Sequence, residues 1–258
     1  MTFKAKALSL VRRGKREVIL TAIGFNGGNN LFKWQLAYSR TLDKGLISKV
    51  LYFPNQDAWL EMFPGLRKLS ITSDQIRFTD RRATYMGAAQ GVDYTPQERA
   101  RFIKDVLLTS DGFKQSLERA QAFVRDDDLV INVRRGDYYN SRFEPEFGIN
   151  IVEYVRQALA KQLALGPVGR VVLVSDNVPW CVDNLTHLAP QLEFVVNENR
   201  RDMFDDLAVL ACAKRLILAN STFSYWGAFI AQVLGTQLEN IVAPAFHQGD
   251  VPTASELW

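Results

Sequence analysis

The sequence predicts an α/β protein made of two Rossmann-like halves that face each other across a cleft. In the second half of the chain, short continuous apolar runs alternate with stretches of helical length, which indicates a parallel sheet covered by helices on both faces. In the first half, a strand, a glycine-rich turn and a helix follow one another in the same manner. The pattern changes near "RDDD", so we place one domain at 1–125 and a second at 126–258.

The first half contains few predicted elements. Two strands, a glycine-rich turn and two helices are predicted at 16–23, 49–53, 24–30, 30–45 and 95–108. Gly45 ends the first helix, while Thr95, Pro96 and Glu98 form a capping pattern at the start of the second. Between 55 and 95 the pattern is too weak to assign elements.

The second half is more regular. Apolar runs predict five strands, at 128–133, 170–175, 192–196, 215–220 and 240–244. The stretches between them predict four helices, at 149–165, 178–188, 201–213 and 223–235. Ile151, Val155 and Leu159 lie at four-residue steps, as on the apolar face of a helix. Because such sheets bind ligands at the carboxyl ends of their strands, we expect the residues after several of these strands to share one crevice.

Composition excludes several classes of protein. The net charge is only +3 and acidic residues are mixed with basic ones, so we expect no nucleic-acid partner. Cys181 and Cys212 are too few for a disulfide scaffold or a zinc site, and reduced thiols fit the cytoplasm. No signal peptide or membrane-spanning run is evident. The expected location is cytoplasmic, with at most peripheral contact with the inner face of the membrane, for which "RRGKR" (12–16) is one candidate beside a solvated loop.

The stretch "LVINVRRGDYYN" (129–140) is the first candidate site. Arg134 and Arg135 directly follow a predicted strand, and their guanidinium groups suit phosphate oxygens as well as surface ion pairs. Gly136 allows a turn or the close approach of a ligand. Asp137 could orient an arginine or act on a substrate hydroxyl. We interpret the Arg-Gly-Asp tripeptide as incidental, because it adjoins a strand.

A second candidate lies in "LILANSTFSYWGAF" (216–229). Asn220, Ser221 and Thr222 end a predicted strand, and a helix begins at about Phe223. Hydroxyls and backbone N–H groups at a helix N-terminus form an anion site, although simple capping by a hydroxyl explains the same pattern. Asp176 follows another strand and could accept hydrogen bonds from a guanine edge or a ribose, or close a turn.

Other patterns in the sequence are weaker evidence for a functional site. "DDD" (126–128) contains the D-x-D pattern of manganese-dependent sugar transferases, but it precedes its strand and reads as a solvated turn. His187 and His247 have no spacing for a catalytic triad or a metal site. The turn "GFNGGNN" (24–30) matches neither a dinucleotide-binding fingerprint nor a P-loop. It indicates only that the backbone closely approaches another group, which the sequence does not identify.

Together, "INVRRGDYY", "VVLVSDNVPWC" and "LILANSTFSYWGAFIA" resemble the three motifs of the α-1,2-fucosyltransferase family. "GGNNLFKWQLAYSRTL" is similar to the family's amino-terminal Gly-Asn-Gln signature, with Asn30 at the glutamine position. The motifs are spread over 24–231, and the third is the most specific. The resemblance implies a GT-B-type fold, GDP-fucose as donor, no metal or other cofactor, and inverting transfer to the 2-hydroxyl of a terminal galactose-type residue. The implied acceptor is an oligosaccharide or lipid-linked glycan, and we expect residues 55–95 to face it.

The resemblance also implies residue roles. Arg134 would grip the donor's β-phosphate with Arg135 in support, and Asp176 would read guanine. The diphosphate would be lined by Ser221, Thr222 and Phe223. Gly28 and Asn29 would face the reaction centre from the first half.

One position departs from the family motif. The family has H-x-R-R, whereas this chain has Asn132, whose amide still offers a donor and an acceptor. A transferase for another nucleotide sugar is therefore one alternative, and a non-catalytic nucleotide- or glycan-binding protein is another. Whether Asp137 is the general base, which acceptor glycan is used and which oligomeric state forms stay open.

Overall fold

The computed structural model describes residues 15–21, 27–85 and 94–244, and it confirms the α/β class. The chain divides into two compact units between Gly112 and Phe113. Each unit contains one fully parallel sheet.

The first unit contains a four-stranded sheet in the order β3-β2-β1-β4. In chain order its elements are β1 (Arg16–Thr21), α1 (Asn29–Lys44), β2 (Ile47–Leu51), α2 (Asp57–Met62), β3 (Ser70–Ile71), β4 (Arg81–Tyr85) and α3 (Pro96–Phe102), which continues as a π-helix (Ile103–Leu107). Both predicted helix signals are confirmed. Gly45 ends α1 with a φ of 59°, and Thr95 caps α3 by accepting from the Glu98 backbone N–H at 3.2 Å.

The second unit contains a five-stranded sheet in the order β7-β6-β5-β8-β9. Its elements are α4 (Asp111–Phe123), β5 (Leu129–Val133), α5 (Glu144–Phe147), α6 (Ile151–Ala164), β6 (Arg170–Ser175), α7 (Val178–Leu185), β7 (Glu193–Val196), α8 (Met203–Cys212), β8 (Arg215–Ile217), α9 (Thr222–Val233) and β9 (Ile241–Val242). Starting from β5, the chain first adds strands on one side and then crosses to the other. The topological switch point, where such sheets bind ligands, therefore lies between β5 and β8.

The division between the units falls earlier than the sequence places it, because α4 is bound to the second unit. Arg119 of α4 donates to Asp205 at 2.9 Å. The carbonyl of Phe123 accepts from Arg170 at 2.6 Å. The helix that precedes the "RDDD" turn thus packs with the sheet that follows it.

Every residue of β5 is buried, as its continuous apolar run predicts.

The core of the second unit also depends on close packing between α8 and α9. Gly227 of α9 faces Leu210 of α8 so closely that a Cβ at this position would lie 2.6 Å from the Leu210 Cβ. A side chain here would force the helices apart, so glycine is required for this packing.

One expectation about the "DDD" turn is wrong for its last member. Asp126 and Asp127 are exposed, but Asp128 is buried. Its carboxylate accepts from Arg170 Nε at 2.8 Å and from Nη2 at 3.0 Å. Asp128 therefore forms a buried ion pair that joins the start of β5 to the start of β6.

Within the described ranges, no helix is both long enough and apolar enough to cross a bilayer.

Candidate functional site

The predicted site residues of the second unit follow strands that lie side by side. Arg134 comes after β5, Asp176 after β6, and Asn220 after β8. Because the three strands are parallel neighbours, these residues lie along one edge of the sheet. The switch point between β5 and β8 lies within this edge, which makes it the candidate ligand site.

Arg134 and Asp176 form the central contact of the site. Arg134 Nη1 lies 2.8 Å from Asp176 Oδ2, and the backbone N–H of Arg135 donates to Asp176 Oδ1 at 2.9 Å. The side chains of Arg134 and Asp176 keep 41% and 25% of their exposure, so the pair faces solvent. The carboxylate therefore holds the Arg134 guanidinium in place at this edge of the sheet.

Gly136 is required for this arrangement. A Cβ at Gly136 would lie 2.6 Å from Asp176 Oδ2 and 3.0 Å from Arg134 Cζ. Real Cβ atoms do not approach other atoms so closely, so any other residue would displace one partner of the pair. Gly136 begins a 3-10 turn (Gly136–Tyr138), as one of its two predicted roles requires, and the close approach of a ligand stays a prediction.

Arg135 lies between two aromatic rings. Its Cζ is 4.2 Å from the centroid of the Trp180 ring and 4.9 Å from that of Tyr139. The Tyr139 hydroxyl donates to the Ile149 carbonyl at 2.9 Å, which fixes the second ring. Burial raises the pKa of Tyr139, so the phenol stays neutral. Trp180 and Tyr139 are not among the predicted site residues, although both lie within the motifs, because an aromatic type alone does not indicate contact with a guanidinium.

Asn132, at the position of the family histidine, is buried and bonded within the fold. Its Nδ2 donates to the Val174 carbonyl of β6 at 2.9 Å, and its Oδ1 accepts from the Ser224 hydroxyl of α9. The amide thereby joins β5 to β6 and to α9. Its established contacts are therefore structural ones.

The segment between β8 and α9 confirms the capping interpretation. Ser221 is the N-cap of α9, and its hydroxyl accepts from the Phe223 N–H at 3.3 Å. Asn220 is buried, where it donates to the Phe147 carbonyl at 3.0 Å and accepts from the Tyr225 hydroxyl at 2.9 Å. Thr222 is also buried, while Phe223 is partly exposed. The N-terminus of a twelve-residue helix thus lies at the same sheet edge as Arg134.

A small cavity, with room for about one water molecule, lies beside Arg134. Its lining is mainly aromatic and aliphatic, with amide groups from Asn132 and Asn220; the other lining residues are Val133, Tyr138, Tyr139, Phe147, Ile149, Ile151, Tyr154, Val155 and Ala219. The rings of Tyr138 and Phe147 stack with their centroids 5.3 Å apart.

Other predicted residues are placed less completely. Asp137 lies in a 3-10 turn from Gly136 to Tyr138, but its side chain is outside what the structure describes, so its role stays a prediction. Gly28 and Asn29 begin α1 in the first unit, and residues 24–26 of the glycine-rich turn lie outside the described residues. Asn30 is fully buried, and neither atom of its amide has a hydrogen-bond partner among the residues described.

Comparisons with known proteins agree with the motifs. The model of "Glycosyl transferase family 11" matches residues 95–250. Galactoside 2-alpha-L-fucosyltransferase Sec1 of Mus musculus is 27% identical over 154 residues, covering 54% of this chain and 41% of the relative. Galactoside alpha-(1,2)-fucosyltransferase 2 of Oryctolagus cuniculus is 28% identical, covering 54% and 43%. The alignments thus span less than half the length of these relatives.

A bacterial protein and several solved structures also match. The O-antigen biosynthesis glycosyltransferase WbnK of Escherichia coli is 27% identical over 101 residues, covering 39% of this chain and 33% of the relative. Among solved structures, NodZ alpha-1,6-fucosyltransferase soaked with GDP-fucose is 14% identical with a TM-score of 0.47, covering 84% of this chain and 93% of that one. The predicted resemblance to the α-1,2-fucosyltransferases is confirmed, and the chain belongs to glycosyl transferase family 11.

Proposed function

We propose that the protein is an inverting fucosyltransferase that moves fucose from GDP-fucose to the 2-hydroxyl of a terminal galactose-type residue in a surface glycan. The observation that carries the proposal is the Arg134–Asp176 pair beside the switch point of a Rossmann-like sheet, at the same edge as the N-terminus of α9. Family membership and the names of the curated relatives support fucose as the sugar.

This site suits a reaction whose leaving group is a diphosphate. GDP leaves readily, so no carboxylic acid has to protonate it, in contrast to the leaving group of a glycosidase. The requirement is to meet the negative charge that grows on the diphosphate with donors fixed in advance. We assign this task to the Arg134 guanidinium, held by Asp176, and to the N-terminus of α9. In this proposal no metal ion takes part.

The remaining roles follow from the contacts. Arg135 acts through its backbone N–H, which holds Asp176, and through its stacked guanidinium. A carboxylate has about four lone-pair sites, so Asp176 could still accept from guanine while it holds the arginines. The acceptor hydroxyl has to lose a proton during transfer, and Asp137 is our candidate base.

The buried amide of Asn132 favours one alternative. Because one donor and one acceptor site of this amide are used by Val174 and Ser224, it does not simply replace the nucleotide contact of the family histidine. The second candidate function is therefore transfer from another nucleotide sugar on the same scaffold. Calorimetric titration with GDP, UDP and ADP distinguishes the two, since a fucosyltransferase has to bind GDP most tightly.

Transfer to a glycan array with GDP-fucose tests the proposal directly. We expect wild-type protein to label glycans that end in galactose, and to do so in excess chelator. Arg134→Ala should fold but label none of them. Tight GDP binding with neither transfer nor donor hydrolysis would contradict the proposal and favour a non-catalytic binding protein.

A further inference from the structure

The first unit carries a cluster of exposed apolar side chains at one edge of its sheet. Leu42, Ile47 and Phe78 are 42%, 51% and 63% exposed. Ile47 is the first residue of β2, Leu42 lies in the last turn of α1 just before it, and Phe78 lies in the turn that precedes β4. Since all strands of this sheet are parallel, these positions lie at its amino-terminal edge, opposite the carboxyl ends of the strands.

Hydrogen bonds connect these positions into one surface. Ile47 pairs in register with Arg16 of β1. The Arg16 guanidinium donates to Asp80 at 3.0 and 2.6 Å, and Asp80 accepts from the Arg77 N–H at 2.7 Å, closing the turn that presents Phe78. Adjacent strands are about 4.8 Å apart, so the Phe78 turn and Ile47 flank the same arginine.

Cationic side chains surround the apolar ones. At this edge and in the strands that start from it, the cationic residues are Lys15, Arg16, Lys49, Lys68, Arg77, Arg81 and Arg82. The acidic residues in the same set are Glu17, Asp43, Asp74 and Asp80; Asp80 is paired with Arg16 and Glu17 with Arg40. Arg82 donates to the backbone carbonyls of Asp80 and Arg77 at 2.8 and 3.1 Å, which fixes its position and leaves its charge in place. The edge therefore carries an excess of positive charge.

We infer that this edge is a docking surface for an anionic lipid bilayer. We name it the amino-edge patch and define it by Leu42, Ile47, Phe78, Lys15, Lys68, Arg77 and Arg81. Exposed apolar side chains partition into the boundary between headgroups and acyl chains, and surrounding cations are attracted to anionic headgroups. Nucleic acid would meet the cations but would leave the apolar residues without a partner.

The patch also has a geometric consequence. It lies at the opposite end of the first sheet from the ends of the strands, where α/β sheets bind ligands. Docking through the patch would therefore not cover the ligand end of this sheet. The inference does not depend on the identity of the donor, because vesicle binding and GDP binding are separate measurements.

Vesicle flotation of the full chain tests the inference. We expect wild-type protein to float with equimolar phosphatidylcholine and phosphatidylglycerol vesicles, and not with phosphatidylcholine alone. The double variant Ile47→Ser/Phe78→Ser should lower the partition coefficient roughly tenfold. Lys68→Glu/Arg77→Glu should lower it roughly twentyfold or more, and salt near ~1 M should have a similar effect.

A matched control comes from the second unit. Leu165 is 54% exposed and Lys161 is exposed beside it, so Lys161→Glu/Leu165→Ser changes the same residue types outside the patch and should float like wild type. Near-UV circular dichroism and GDP titration verify that each variant is folded. Equal flotation of wild-type and patch variants, or no preference for anionic vesicles, would overturn the inference. Binding to duplex DNA but not to vesicles would also overturn it.

Discussion

Arg134 Nη1 lies 2.8 Å from Asp176 Oδ2, which joins the residue after β5 to the residue after β6. The contact orients a cation before any ligand arrives, because the same carboxylate is also held by the Arg135 backbone N–H. Preorganised charge of this kind is the main requirement for diphosphate departure. The predictions below test the pair, the groups that support it and the fold beneath it.

Gly136→Ala should disrupt the pair without touching the ligand. The added Cβ would lie 2.6 Å from Asp176 Oδ2, so the carboxylate has to move away from Arg134. Loss of one charge-assisted hydrogen bond, worth about 1.5–3 kcal/mol, should weaken donor binding roughly tenfold or more, measured by GDP-fucose titration.

Gly65→Ala is the control for this substitution. Its Cβ would lie 3.4 Å from Val106 Cγ1, an ordinary van der Waals contact in the first unit. It should leave donor affinity unchanged. Wild-type affinity in Gly136→Ala would show that the geometry of the pair is not what binds the donor.

Trp180→Leu should weaken donor use by releasing Arg135. A cation–π contact of a partly exposed pair contributes about 0.5–1 kcal/mol, so the KM for GDP-fucose should rise roughly two- to fivefold. Trp180→Phe keeps a ring over the guanidinium, so its KM for GDP-fucose should stay close to that of the wild type. Trp180 also packs against the core of the second unit, so a fall in Tm with unchanged KM would mean that its role is structural only.

Asn132→Ala should destabilise the second unit. The substitution leaves the Val174 carbonyl and the Ser224 hydroxyl without their buried partner, which costs about 1–3 kcal/mol in the free energy of unfolding. Asn184 makes a similar amide-to-carbonyl bond, to Trp180 at 2.8 Å, but is half-buried. Urea denaturation should show a smaller loss in the free energy of unfolding for Asn184→Ala. Equal losses in the two variants would mean that the buried hydrogen bonds of Asn132 contribute no more than a half-buried one.

Lys33 should make the stability of the first unit depend on pH. Burial lowers the pKa of this lysine from 10.5 to about 8. Between these values the unfolded chain holds a proton that the folded chain has released, so stability rises as the pH rises through this window. Below pH 8 the burial of the charge costs up to about 3 kcal/mol.

Lys33→Met should therefore raise the stability at neutral pH and remove the slope between about pH 8 and 10.5. Denaturation at a series of pH values measures both effects. Lys161→Met, at an exposed position, should change neither. An unchanged slope in Lys33→Met would assign the pH dependence to another group.

The sequence predicts the second sheet well, because strands covered on both faces have continuous apolar runs. The predicted strand at 170–175 coincides with β6. The predicted strand at 215–220 ends early, at Ile217, because the next residues turn to form the site. Residues 55–95 could not be assigned, because α2 is shorter than two turns, β3 has only two residues, and β4 has the sequence RRATY, which contains no apolar run.

The residues of the site, too, could be predicted only in part from the sequence. Arg134 and Asp176 could be identified because each directly follows a strand, and the sheet brings strand ends together. Trp180 could not, because its ring meets Arg135 only through the placement of α7 beside the loop after β5. The burial of Asp128 also depends on a partner far along the chain, Arg170, which no local pattern reveals.

The most direct test of the account is donor turnover in wild-type, Arg134→Lys and Arg134→Ala proteins. With saturating acceptor and GDP-fucose, we expect Arg134→Ala to lose roughly 10²–10⁴-fold in rate, because the departing diphosphate loses its fixed cation. Arg134→Lys, which keeps the charge without the planar fork, should fall between the two. Wild-type turnover in Arg134→Ala would contradict the account.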